Sequence, residues 1–128
     1  MSKTFLIIAA ALGALSVALG AFAAHGLKKI VPAETVATFE TGVRYQFYHT
    51  FALLVTALLL QRMQGSSLVW AGYCFIIGIV LFSGSLYALT ALKATETVGL
   101  NGIGIITPFG GLFFIAGWLL MLIGIIKN

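Results

Sequence analysis

Four apolar runs, each near the length a helix needs to cross a hydrocarbon core of about 30 Å, dominate this chain. They read Phe5 to Ala24, Tyr45 to Leu60, Leu68 to Leu92 and Pro108 to Ile126; Gln61-Arg62 closes the second and Lys127-Asn128 the fourth. The alternation of a barrel strand is absent. Backbone groups in hydrocarbon must be satisfied within their own segment, so each run is predicted to be an α-helix. Short links between successive helices imply antiparallel neighbours. The expected fold is all-α: an integral membrane four-helix antiparallel bundle, one transmembrane domain over residues 1–128.

The links carry the other signals. His25 to Arg44 is the most polar stretch, and Pro32 ahead of Ala33, Glu34 and Thr35 suits a first helical turn. An interfacial helix between spans one and two is expected there, running into span two with or without a break. Val98 to Ile106 is apolar but too short to cross and holds Gly99, Gly102 and Gly104. It predicts a bent interfacial or shallow re-entrant segment, with Thr107 capping a helix that starts at Pro108. A longer helix kinked at Pro108 is the alternative.

Small residues recur at helical spacing. Ala9, Gly13, Ser16, Gly20 and Ala23 form one stripe, and Ala71, Cys74, Gly78, Leu81, Ser85 and Ala88 another. Gly110, Gly117 and Gly124 repeat at every seventh position of span four. In lipid, apolar burial gives no net drive between helices, so such stripes act by letting backbones approach. The same faces offer a route to a homo-oligomer.

Composition narrows the function classes. Charged residues make up 8% of the chain, against roughly 25% in soluble domains, which excludes a water-soluble monomer. The net charge of +4 comes from Lys and Arg scattered at the ends of apolar runs. That placement suits anionic lipid head groups and interface anchoring, and no nucleic-acid partner is expected. The lone Cys74 cannot form an intrachain disulfide. Lys3, the run from Phe5 and Ala21-Phe22-Ala23 resemble a signal peptide, but the run is long for one and right for a span. Lys3, Arg62 and Lys127 on one side balance Lys28, Lys29, Arg44 and Lys93 on the other, which leaves only a weak lean towards cytoplasmic termini.

At 100° per residue, Glu34, Thr38, Thr41, Tyr45, Tyr48, His49, Ala52 and Thr56 form a polar stripe along the helix through span two. Hydroxyl and imidazole groups facing lipid would lack partners, so the stripe is expected to face the interior. Glu40 lies one turn before Arg44 at ion-pair spacing, and His25 belongs to the same membrane side. In span three Ser85 lies on the small-residue stripe, while Ser83 points elsewhere. The candidate polar or lipid site is therefore His25, Lys28, Glu40, Arg44, Tyr45, Tyr48, His49 and Ser85. Three readings stay open. These groups fix helix packing, or Arg44 with Lys28 or Lys29 binds a lipid phosphate, or His25 and His49 ligate haem or a metal. A small oligomeric transporter is a further alternative, weakened by the lack of a carboxylate deep in a span. The acids, Glu34, Glu40 and Glu96, all lie outside the apolar runs, so no hydrolytic triad is expected. Nor is an enzymatic role or a resident cofactor.

The segments Gly20-Ala21-Phe22-Ala23-Ala24-His25-Gly26-Leu27, Thr41-Gly42-Val43-Arg44-Tyr45-Gln46-Phe47-Tyr48-His49, Leu81-Phe82-Ser83-Gly84-Ser85-Leu86-Tyr87 and Ile106-Thr107-Pro108-Phe109-Gly110-Gly111, with Gly117-Trp118 beyond, follow one another in a recognisable order. Over nearly its whole length the chain resembles the family called Domain of Unknown Function 423, small bacterial membrane proteins with eukaryotic small transmembrane relatives. The resemblance implies a four-helix integral protein of the bacterial inner membrane and suggests that these segments matter together. It supplies no activity.

Overall fold

Hydrophobic runs this long, without internal Pro, fold as helices, and a computed structural model describing residues 1–95 and 101–128 consists of helices joined by short links. Helix α1 spans Ser2–Ala24, α2 Ala33–Leu59, α3 Ser66–Gly78, α4 Gly84–Ala94 and α5 Ile106–Lys127. One π-helical turn, Ile79–Ser83, joins α3 to α4 without interrupting the rod; the Gly84 N–H reaches the Ile79 carbonyl five residues back. Among the described residues three helical rods are long and apolar enough to cross a membrane, Ser2–Lys29, Ser66–Ala94 and Gly102–Lys127. Helix α2 is not among them, since Glu34, Glu40, Arg44 and Gln46 dilute its hydropathy.

Two links differ from expectation. Between α1 and α2 stands a single 3₁₀ turn, Leu27–Lys29, and no separate interfacial helix, because α2 runs unbroken for 27 residues once Pro32, extended at its N-cap, has set the chain's direction. Ahead of α5, Asn101–Ile105 forms a 3₁₀ turn that passes directly into the helix at Ile106, so Thr107 lies inside the first turn and caps nothing. Proline is accepted there because the N–H it lacks has no partner in a first turn. The rest of the proposed bent segment, Val98 to Leu100, lies outside the described residues, as does Glu96.

Rods that follow one another in the chain run antiparallel. Ser2 Oγ donates to the Ala57 carbonyl (2.9 Å) at one end of the α1–α2 pair, while Gly20 faces Val43 towards the other. Helix α3 and the π turn after it pair with α5 as Leu68 with Gly124, Phe75 with Gly117 and Phe82 with Gly110. The seven-residue glycine repeat thus meets a large-residue repeat of the same period. A Cβ at Gly117 would sit 2.6 Å from Phe75 Cε1 and one at Gly124 2.8 Å from Leu68 Cγ; one at Gly110 would run into the backbone of Phe82. The α1 stripe is looser, since a Cβ at Gly13 or Gly20 would meet only ordinary contacts at 3.8 and 3.7 Å. There the tight fit runs the other way: the buried Phe5 ring of α1 occupies the space over Gly72 of α3. Gly65, at φ 131°, turns the chain from α2 into α3, and Asn128 Nδ2 bonds the Gln64 and Gly124 carbonyls beside it (both 2.8 Å).

Backbone cannot yield as a flexible side chain can, so Gly110→Ala should destabilise the fold by about 1–3 kcal/mol. Gly111→Ala, with nothing within 4 Å of its Cβ, should be close to neutral. Denaturant titration in mixed micelles followed by circular dichroism distinguishes the two, and equal losses would contradict this helix register.

Candidate functional site

Polar groups within α2 find partners in two ways. Thr41 and Thr56 donate their hydroxyl protons to carbonyls four residues back, at 3.0 and 2.8 Å, and Thr38 does so at 3.2 Å. Such groups are satisfied by their own helix and need not face a neighbour. The side-chain amide of Gln46 has no such option, and it turns inward to 1% exposure. Its Nε2 donates to the Leu12 carbonyl of α1 (3.1 Å), and its Oε1 accepts from the Tyr87 hydroxyl of α4 (2.6 Å). One side chain therefore joins three helices. The interior face of α2 is centred on Phe39, Gly42, Gln46, His49, Leu53 and Thr56, rotated from the expected stripe. Glu34 and Tyr48 lie exposed and Thr38, Thr41 and Tyr45 half-buried at its margin.

His49 is buried, its ring stacked on Phe114 of α5 with centroids 3.5 Å apart and planes within 9°. Nδ1 lies 2.8 Å from the Tyr45 carbonyl, which only accepts, and Nε2 lies 3.1 Å from Trp118 Nε1, which only donates. The two partners together select the neutral tautomer with its proton on Nδ1. Both ring nitrogens are then occupied, and no lone pair is left for a metal or haem iron. Trp118, half exposed on α5, satisfies its indole N–H through the same bond. Around this pair Tyr45 packs on Phe82 (4.6 Å between centroids) and Phe75 on Trp118 (5.3 Å).

The remaining candidates separate. Ser85, buried, donates to the Phe82 carbonyl (2.8 Å) and shares a hydrogen bond with Thr107 of α5, and it has no bond to His49 itself. Ser83, expected to point away, is fully buried and donates to the Gly42 carbonyl of α2 (2.7 Å). Both serines are interior because this rod lies between α2 and α5 and so has two inward faces. His25, Arg44 and Tyr48 are exposed, and His25 shares no bond or ring contact with His49, so the pairing of the two histidines does not occur. Glu40 and Arg44 form no ion pair among the described residues; the half-buried Glu40 instead lines a cavity while Arg44 extends outward. Among the described residues no three His, Cys, Asp or Glu side chains gather as a metal site.

What the structure does bring together is Lys28 and Glu40. They line a cavity of about 370 Å³ with Val31, Ala33, Val36 and Ala37, between the Leu27–Lys29 turn and the first turns of α2. Sequence reasoning missed Gln46, Phe114 and Trp118. Gln46 left a usable signal, as an amide with several hydrogen-bonding positions in an apolar run that its own helix cannot satisfy.

Two outcomes test these bonds. Ring ¹⁵N spectra of His49 should show a protonated Nδ1 and a pyridine-like Nε2, and Trp118→Phe should move only the Nε2 resonance; a protonated Nε2 would refute the assignment. Tyr87→Phe should cost about 1 kcal/mol, the scale of an interhelical hydrogen bond in a membrane protein, and Gln46→Ala more than that, in the same unfolding titration.

Relatives place the chain. Over 126 residues it is 40% identical to the UPF0382 membrane protein YwdK of Bacillus subtilis, covering 98% of each chain. Over 128 residues it is 43% identical to the UPF0382 inner membrane protein YgdD of Escherichia coli K12, covering 98% of this chain and 92% of that one. A UPF0382 membrane protein of Haemophilus influenzae is 43% identical over 129 residues, with 100% and 98% coverage. No solved structure matches the chain. With residues 19–111 matching the model of the protein family of unknown function DUF423, and apolar helices able to span a bilayer, the chain is a membrane protein belonging to that family.

Proposed function

We propose that the protein is a non-enzymatic, four-crossing inner-membrane protein that holds an anionic phospholipid head group between its Leu27–Lys29 turn and the start of α2. The observation that carries this reading is the cavity shared by Lys28 and Glu40, at the end of α1 where head groups begin. Lys28 meets the phosphate there, and Arg44, one turn beyond Glu40 on α2 and without a partner among the described residues, supplies a second cation. The Glu40 carboxylate accepts a hydrogen bond from a hydroxylated head group such as glycerol. Val31, Val36 and Ala37 form the apolar wall along which the lipid enters. His25, exposed at the end of α1, stands at the same level as a further head-group contact.

The fourth crossing is α2. At 1.5 Å per residue its 27 residues extend about 40 Å, more than the hydrocarbon core requires, so its first turns reach the head-group region. Its deeper polar side chains Gln46 and His49 are paired inside the protein, which removes the main cost of immersion.

Protein purified in mild detergent should carry phosphatidylglycerol detectable by native mass spectrometry, and the double variant Lys28→Ala, Arg44→Ala should lose most of it while keeping its helical circular dichroism. Unchanged lipid content in a folded double variant would overturn the proposal.

A further inference from the structure

On the other flank of the α2 start lies a second cavity, of about 320 Å³, formed with the last turns of α4 and lined by Glu34, Thr35, Thr38, Leu89, Thr90 and Lys93. Its chemistry differs from that of the Lys28 cavity. Thr38 and Thr90 spend their hydroxyl protons on the Glu34 and Leu86 carbonyls, at 3.2 and 2.9 Å, so their oxygens have only acceptor capacity left. The Glu34 carboxylate is also an acceptor. Thr35 lines the cavity and is 4% exposed, and its Oγ1 is buried with no hydrogen-bond partner among the described residues, an unfavourable state for a hydroxyl. Lys93, in the last turn of α4, is the cation of the cleft. It forms no ion pair with Glu34 among the described residues. The cleft therefore offers a group of acceptors around one carboxylate, a separate ammonium, and an unfilled hydroxyl between α2 and α4.

We infer that this cleft binds the zwitterionic head group of an ethanolamine phospholipid. A primary ammonium has three N–H donors, which the two Glu34 carboxylate oxygens and the exposed Thr38 oxygen can accept. The phosphate of the same head group takes Lys93, and the Thr35 hydroxyl, rotating into the cavity when the head group binds, donates to it. One zwitterion joins the two charges that the protein keeps apart, which neither a purely anionic nor a purely cationic ligand does. The location at the end of a membrane-spanning rod puts the cleft at head-group depth, and Leu89 gives an acyl chain its first apolar contact. A choline head group fits worse because its methylated nitrogen has no N–H to give. The inference is independent of the Lys28 site, with which it shares no residue.

The test uses the full chain in nanodiscs of equal parts phosphatidylethanolamine, phosphatidylcholine and phosphatidylglycerol, with bound lipid read by native mass spectrometry after release into detergent. Phosphatidylethanolamine should exceed phosphatidylcholine by about tenfold, the value of a charge-assisted hydrogen bond. Glu34→Gln should abolish that preference without reducing bound phosphatidylglycerol; Thr35→Val, which removes a phosphate contact common to both zwitterionic lipids, should lower the retention of both together, and Thr35→Ser should restore it. Lys28→Ala, which acts on the other cavity, should leave the preference intact. Free phosphoethanolamine added at millimolar concentration should not displace the lipid, because it lacks the acyl chains. Equal retention of the ethanolamine and choline lipids, or a preference that survives Glu34→Gln, would overturn the inference; displacement by free phosphoethanolamine would show a soluble ligand instead of a lipid.

Discussion

Hydrocarbon offers no hydrogen bonds, and nearly every feature of this protein's interior follows from that single constraint. A polar side chain in such a medium is either satisfied by its own helix or it dictates a contact between helices. Thr56 and Ser16 take the first course, donating to the Ala52 and Leu12 carbonyls, both at 2.8 Å, and they impose nothing on the packing. Gln46 takes the second and fixes the relative rotation of α1, α2 and α4, since its amide reaches both neighbours only in one register. His49 does the same for α2 and α5. Its two nitrogens connect a backbone carbonyl of α2 with an indole N–H of α5 that would otherwise lack a partner.

Dispersion supplies the attraction that polar pairing merely orients. In lipid it rewards close approach, and the α3–α5 pair achieves this with glycines on one helix and Leu68, Phe75 and Phe82 on the other. The π turn at Ile79–Ser83 falls where these aromatic contacts meet the polar ones. Across it the rod passes from packing mainly against α5 to packing against α2 as well, with Ser83 turned to Gly42 and Ser85 to Thr107.

Much of this was legible in the sequence, for reasons that also explain what was not. Apolar length marked the rods because thickness is a property of the bilayer, and the glycine repeat of span four marked a close-packed face because seven residues make nearly two helical turns. The polar stripe of α2 misled because it treated all hydroxyls as alike. Threonines that bond their own carbonyls carry no directional information, whereas Gln46 does, and its weight as a single residue is hidden by averaging over a face. The histidines misled for another reason: shared membrane side is a statement about depth alone, and His25 is exposed at the end of α1 while His49 is consumed by Tyr45 and Trp118. Glu40 and Arg44 have the spacing of a helical ion pair, yet an exposed pair gains little, and the two do not pair among the described residues.

The same distinction separates structural polar groups from those free to act on something else. Deep in the protein Gln46, His49, Ser83, Ser85 and Tyr87 are engaged with one another's helices, and a ligand there would have to break bonds already made. Towards the start of α2 the pattern reverses, with Lys28 and Glu40 on one flank and Glu34 and Lys93 on the other lining cavities without ion pairs among the described residues. Two buried threonines sharpen the contrast. Thr50 Oγ1 also lacks a partner, but it lies mid-helix with its methyl towards Gly13 and lines neither cavity; Thr35 is a cavity-lining residue beside charges that form no ion pair among the described residues. An unfilled hydroxyl acquires functional meaning only where space and charge coincide with it, and in the described structure that coincidence occurs at the end of the one long helix whose sequence is too polar to be explained by spanning alone.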